Sequence, residues 1–352
     1  MRIGALESGW LQPALRAGFL LAALVLSPGA PTAAAPAGSP PVSVPSGSDR
    51  PVSKAASEEA SLFALPTNRD HIGRVVVAAM VNGKGPFRFI VDTGATHSTV
   101  SPGLVHALGL QPTEVPSMVL NGITGTAQVS AVTLDRLQAG DMTFDQLVAP
   151  VVWAPVMAGA DGILGAAGLT GRSLSVDFER NEVRISRGVE MSVRAEAMKI
   201  HATVTHGLMT LSMQVGRVRG LAVIDTGSER TLGNPALRDA LKLRARTGAE
   251  ALVTSVYGAT EQVERGEIWR APTILIDTLR INNVQVVYGD FHIFKVWEMQ
   301  DTPAMIVGMD ILGTVGSLGI DFRNDDVYLT SSRTNTTQFT PTGNLSSTLQ
   351  NK

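Results

Sequence analysis

Phe89-Ile90-Val91-Asp92-Thr93-Gly94-Ala95 returns 133 residues later as Ala222-Val223-Ile224-Asp225-Thr226-Gly227-Ser228. In each copy three apolar residues run into Asp-Thr-Gly, so an apolar strand ends on a tight loop that carries a carboxylate. A bare Asp-Thr-Gly arises by chance in on the order of one chain in ten of this length, and one copy decides nothing. What decides is that the residues after each copy also repeat. Ten residues past each aspartate stands a proline, Pro102 and Pro235, behind the N-cap residues Ser101 and Asn234. Proline is tolerated at the first helical position because its missing N–H would be unsatisfied there anyway. Leucines follow in register: Leu104 with Leu237, Leu108 with Leu241, Leu110 with Leu243. This predicts one short helix in each half.

The register persists downstream. Asn121-Gly122-Ile123-Thr124-Gly125 and Tyr257-Gly258-Ala259-Thr260 are turn signals between β-prone runs and read as hairpin tips. Asp161-Gly162-Ile163-Leu164-Gly165 is answered by Ala304-Met305-Ile306-Val307-Gly308, and Val176-Asp177-Phe178 by Ile320-Asp321-Phe322. Each copy closes on a strand, Val183 to Ile185 and Val327 to Leu329. Fixed-order self-similarity of this kind marks one unit duplicated. Segments such as Arg74 to Val81 and Val284 to Val287 are short, Val-rich and bounded by Gly or Asn, so the chain is expected to be all-β apart from the short helices.

If a pseudo-twofold axis relates the halves, Asp92 and Asp225 meet on it. Two carboxylates a few ångströms apart in a partly dry site cannot both ionise cheaply, so they share one proton and titrate as a pair. Such a pair can activate water: the charged oxygen takes a proton from it while the other carboxyl donates to a scissile carbonyl. Thr93 and Thr226 would then bond across the axis. Gly94 and Gly227 would permit the tight backbone and aim peptide N–H groups at the carboxylates.

With these motifs in place, residues 74 to 330 resemble the aspartic proteases of the retropepsin-like and pepsin-like group. The resemblance implies a two-lobed, pseudo-twofold fold in which Ile163-Leu164-Gly165 and Ile306-Val307-Gly308 thread behind the aspartate loops. It also implies an endopeptidase that needs no cofactor and no metal, with polypeptide as its substrate. The hairpin tips become flap candidates: Gly122, Ile123, Thr124 and Gly125 in the first half, Tyr257 and Gly258 in the second. A pepsin-like flap carries a tyrosine in the first lobe, whereas here the tyrosine is Tyr257 in the second. Either the flap is glycine-driven as in retropepsins or the lobes have exchanged roles. Ala95 follows the retropepsin pattern and Ser228 the pepsin one, and the Ser228 hydroxyl is expected to donate to Asp225 and favour its ionised form.

Composition excludes other classes. The 29 basic against 31 acidic residues give a net charge of −2, with no surplus to neutralise a nucleic acid backbone. There is no cysteine, hence no disulfide, thiolate metal site or thiol nucleophile. The six histidines show no metal-ligand spacing, and His201 and His206 read as surface residues. No serine-hydrolase elbow or phosphate-binding loop is present. Asp310 reads as structural because its first-half counterpart is Ala167, and Trp153, Trp269 and Trp297 are assigned to cleft or core.

Residues 1–35 read as a signal peptide: Arg2 and Arg16, then ten apolar residues from Ala17 to Leu26, then small residues. Ten residues fall short of the ~20 that span a bilayer, so no membrane insertion is expected once it is cleaved, and the chain is expected in the periplasm or medium. Residues 36–60 read as a flexible linker, 61–190 as the N-terminal lobe, 191–333 as the C-terminal lobe and 334–352 as a disordered tail. A monomer is expected, because the matching halves lie in one chain. Two functions stand open: an active extracytoplasmic endopeptidase, and a catalytically silent peptide-binding or regulatory protein on the same fold. The presence of both aspartates favours the first.

Overall fold

The computed structural model describes residues 25–26, 64–66, 68–69, 73–111, 117–140, 142–152, 157–187, 197–243 and 252–332. Apart from Val25 and Leu26, the expected signal peptide lies outside the described residues, as do the linker 36–60, Trp153, the C-terminal tail and most of the junction between the halves. Val25–Leu26 pairs antiparallel with Leu120 and Asn121 along the edge of the first hairpin.

Each half is built from the same parts. In the first, strand Val75–Val81 turns back into Lys84–Asp92. In the second, Leu208–Val215 turns back into Val218–Ile224. Both inner strands end fully buried at the aspartate, since Phe89 to Asp92 and Ala222 to Asp225 lie in the interior. The apolar run is therefore a strand covered on both faces, which is why it does not alternate with polar residues.

The apolar-apolar-Gly segments occupy the place that the repeat assigns them. Gly162–Gly165 pairs parallel with the first inner strand, Leu164 opposite Val91, and antiparallel with Thr99–Val100 beyond the aspartate loop. Ala304–Val307 pairs parallel with the second inner strand, Val307 opposite Ile224, and antiparallel with Leu232–Gly233. Each such strand thus lies between the two arms of an Asp-Thr-Gly loop and fixes both.

The halves are welded by a six-stranded antiparallel sheet in the order Met198–His201, Asp326–Thr330, Ser317–Asp321, Arg172–Asp177, Glu182–Arg187, Ala64–Pro66. Its central pair joins one strand from each half, with Leu174 opposite Ile320 and Val176 opposite Leu318. These side chains belong to a single apolar core that runs through both lobes. The fold is the expected all-β, two-lobed one.

Helices α1 (Pro102–Leu108) and α2 (Pro235–Ala240) stand where the prolines predict. Ser101 Oγ accepts from Leu104 N at 3.1 Å, and Asn234 Oδ1 from Leu237 N at 2.9 Å. Leu104 and Leu237 are the buried anchors. The second lobe adds two short helices, α3 (His292–Val296) and α4 (Met309–Leu312). The caps differ in weight. Asn234 is buried, its Oδ1 also accepts from Ala304 N, and its Nδ2 donates to the carbonyls of Met299 and Thr302.

Replacing Ser101 by Ala therefore costs about 1 kcal/mol, the ordinary worth of a cap. Replacing Asn234 by Ala leaves several buried backbone groups without partners and costs about 3 kcal/mol or more. Urea unfolding of the two variants measures the difference, and equal losses would contradict this assignment.

Candidate active site

Asp92 and Asp225 are fully buried and stand across the lobe boundary from each other. Asp92 Oδ1 accepts from the N–H groups of Gly94 and Ala95, both at 2.9 Å. Asp225 Oδ1 accepts from those of Gly227 and Ser228 at 2.9 and 3.0 Å. A Cβ placed on Gly94 would strike the carboxyl of Asp225, and one placed on Gly227 the carboxyl of Asp92. Glycine is required at both positions so that each loop can approach the opposite carboxyl.

The threonines lock this arrangement. Thr93 Oγ1 donates to Ile224 O at 2.8 Å and accepts from Thr226 N at 3.1 Å. Thr226 Oγ1 donates to Val91 O at 2.7 Å and accepts from Thr93 N at 3.2 Å. Each hydroxyl uses its one hydrogen and an acceptor site across the boundary, so the network closes on itself in the interior, where such bonds are strongest.

Among the described residues both Oδ2 atoms are buried with no hydrogen-bond partner, and the two carboxyls lie close enough to titrate as a pair. Two carboxyls so placed can share a hydrogen bond only when one of them is protonated. Burial pushes Asp92 up to about 6 against the partial relief of its hydrogen bonds and of the Arg74 guanidinium. Burial, and then the charge of Asp92, raises Asp225 well above the usual carboxylate range. The pair therefore carries a single negative charge above about pH 6, where Asp92 has ionised and Asp225 still holds its proton, and Arg74, itself fully buried, biases that charge towards Asp92.

One sequence expectation is corrected. The Ser228 hydroxyl does not donate to Asp225; it donates to Arg230 O at 2.8 Å. Asp225 Oδ1 is already filled by two backbone N–H groups, and a carbonyl two residues on is the nearer acceptor for a short side chain. Ser228 supports the loop through its backbone.

Behind the loops, Gly165 N donates to Ser98 Oγ at 3.1 Å, and Gly308 N to Thr231 Oγ1 at 3.2 Å. Asp310 anchors the second of these pairs by accepting from Thr231 Oγ1 at 2.6 Å and Thr231 N at 3.0 Å. Its structural reading stands. Ile163, Leu164, Ile306 and Val307 are buried around this framework.

Both hairpins reach the boundary. The first is Met118–Gly122 with Gly125–Val129, the second Leu252–Tyr257 with Val263–Arg270. Their tips meet: Thr124 Oγ1 lies 2.9 Å from Thr260 Oγ1, and Gln262 Nε2 donates to Thr126 O at 3.2 Å. Each tip also enters the opposite lobe. Ile123 is buried among Leu208, Val223 and Phe291 of the second lobe, while Ala259 and Tyr257 pack with Val76, Ile90 and Ala95 of the first. The two candidate flap hairpins thus meet each other at the lobe boundary. Gly122 and Gly258 lie against the opposing tip, with no room for a Cβ on Gly258 beside Thr124.

A family model described as aspartyl protease matches residues 77–167 and again 211–311, one match in each lobe. The chain belongs to the aspartyl protease family. Each match contains one Asp-Thr-Gly loop and one apolar-apolar-Gly strand, so the aspartyl protease pattern is present twice. No curated protein matches the sequence. Sequence reading missed Arg74, Thr260, Gln262 and His292 as site residues. The signal for Arg74 was an arginine leading a run of valines and that for Thr260 its place in the second hairpin turn; Gln262 and His292 carry no local signal. His292 Nε2 lies 2.9 Å from Thr126 Oγ1 on the first flap.

The raised carboxyls make a prediction with a definite sign. The folded carboxyls keep protons that the unfolded chain has already released above pH ~4, so this contribution to stability is complete below that pH and is lost as pH rises, through about 6 for Asp92 and higher for Asp225. Asp225→Asn is therefore expected to melt higher than the parent chain at pH 7 and close to it at pH 3.5. Thermal unfolding at the two pH values measures this; a lower melting temperature of the variant at pH 7 would contradict the shared proton.

Proposed function

We propose that this aspartyl protease family member is an active endopeptidase that hydrolyses polypeptide outside the cytoplasm, working as a monomer. The observation that carries the reading is the pair of fully buried carboxyls set side by side at the lobe boundary, each held by two backbone N–H groups and each keeping Oδ2 without a partner among the described residues. A structural carboxylate has its oxygens satisfied; these keep one each for chemistry.

In the proposed reaction a water bound at the dyad gives a proton to ionised Asp92. Its oxygen attacks the peptide carbonyl carbon while protonated Asp225 donates to the carbonyl oxygen. The tetrahedral diol then collapses: the C–N bond breaks, the amide nitrogen leaves with a proton from the dyad, and one acid product and one amine product form. No covalent enzyme intermediate is required. The single charge of the pair starts on Asp92, where Arg74 favours it, and water is excluded by the two flaps, which strengthens every interaction inside. An extended substrate under the flaps would be gripped through its main chain, with side-chain pockets setting preference. The apolar run of residues 17–26 followed by small residues supports export, and the complete pseudo-dimer within one chain supports a monomer.

Cleavage of an unfolded polypeptide mixture from about pH 3 to 7 tests the reading. Asp92→Asn and Asp225→Asn are each expected to lose at least ~10²-fold in rate, the ordinary worth of one positioned acid or base, and a statine-type inhibitor is expected to stop the parent enzyme. Intact peptide binding with no cleavage at any pH would instead establish a silent binding protein.

Admission of substrate requires the flap tips to part. The chain has no cysteine, so a Thr124→Cys, Thr260→Cys pair introduces the only thiols. The oxidised variant is expected to be inactive and the reduced one active; full activity in the oxidised form would show that polypeptide reaches the dyad by another route.

A further inference from the structure

We infer that His292 is a positioning residue that holds the first flap shut on the second lobe. The inference rests on the proposed hydrolysis as the reason for closing the flap, and on three features of the contact.

The first is hydrogen bonding. Thr126 Oγ1 donates its hydrogen to Asn121 Oδ1 at 2.9 Å, across the hairpin. The 2.9 Å contact with His292 must therefore be a bond that Thr126 accepts, which places the hydrogen on Nε2. The same N–H lies 3.4 Å from Asn121 Oδ1. One imidazole donor thus reaches both strands of the first flap just behind its tip.

The second is the mounting of the histidine. His292 opens helix α3, whose flanking residues Phe291, Ile293, Phe294 and Trp297 are all buried, with Phe294 and Trp297 in edge-to-face contact at 6.3 Å. These residues form the cluster that receives Ile123 from the flap tip. The ring is therefore carried on a rigid part of the second lobe and is itself partly buried.

The third is what the contact spans. Thr124–Thr260 and Gln262–Thr126 join flap to flap and can travel with the hairpins. The His292 bond joins the first flap to the body of the second lobe, so the flap cannot lift from that lobe without breaking it. Such a contact raises the closed fraction of a lid by the free energy of one net hydrogen bond.

Amide hydrogen exchange on the whole chain, free of substrate, tests this without relying on turnover. In His292→Ala, exchange over residues 118–129 is expected to be roughly tenfold faster, the factor one such bond contributes to a local opening equilibrium. Thr126→Val, which breaks the bond from the flap side, is expected to do the same, and His292→Gln, which restores a donor, to return exchange towards that of the parent. The core strand Lys84–Asp92 is expected to be unchanged in all three. In turnover, kcat/KM is expected to fall by up to the same factor in the two broken variants and to recover in His292→Gln. Unchanged flap exchange in Thr126→Val and His292→Ala, or equal acceleration throughout the molecule, would overturn the inference. Faster flap exchange in a chain that hydrolyses no peptide would leave the latch standing and remove the peptidase reading instead.

Discussion

Two carboxyl groups buried against each other cannot both be charged, and the rest of this molecule is arranged around keeping them together nonetheless. Desolvating a carboxylate is expensive, and a second one beside it more so. The arrangement survives because one proton is shared, because four backbone N–H groups satisfy the two Oδ1 atoms, and because Thr93 and Thr226 hold the two loops at fixed separation. The site's chemistry and its destabilising tendency have the same origin, a carboxyl kept protonated where an ordinary one would have ionised.

That constraint explains why the support is doubled. Each loop is clasped by the strand threading behind it, and the lobes that carry the loops share both a sheet and a core. The symmetry is broken where function needs the halves to differ. Arg74 stands eight residues before the turn of its hairpin; the corresponding place in the second lobe is Leu208, which packs around the first flap's Ile123. One position thus biases charge in one lobe and receives a flap in the other. Asp310 against Ala167 is a second break, giving the Thr231 loop a carboxylate anchor that the Ser98 loop lacks.

The parts legible in the sequence are those fixed by local chemistry. Asp-Thr-Gly at the end of an apolar strand, a cap followed by proline and a glycine-centred turn are each encoded within a few residues, and their recurrence in order revealed the two lobes. The parts that were not legible depend on where one lobe lies against the other. Nothing near Thr126 announces a histidine 166 residues away, and nothing near Ala259 says that it will rest in the core of the first lobe. Ser228 failed for the opposite reason: its identity suggested a partner in the dyad, but a carbonyl two residues along its own chain was closer. The two hairpins could not be related from sequence because the contact between their tips, Thr124 with Thr260, joins residues 136 apart.

The central claim is the shared proton, and its most direct test is a carboxyl-carbon NMR titration of the chain labelled at aspartate, with Asp92 and Asp225 assigned by substitution. The account predicts that the two resonances change together in two separated steps, the first near pH 6, with an interval above it in which the pair carries a single charge. Two independent transitions near pH 4, each with the profile of an exposed carboxylate, would contradict it.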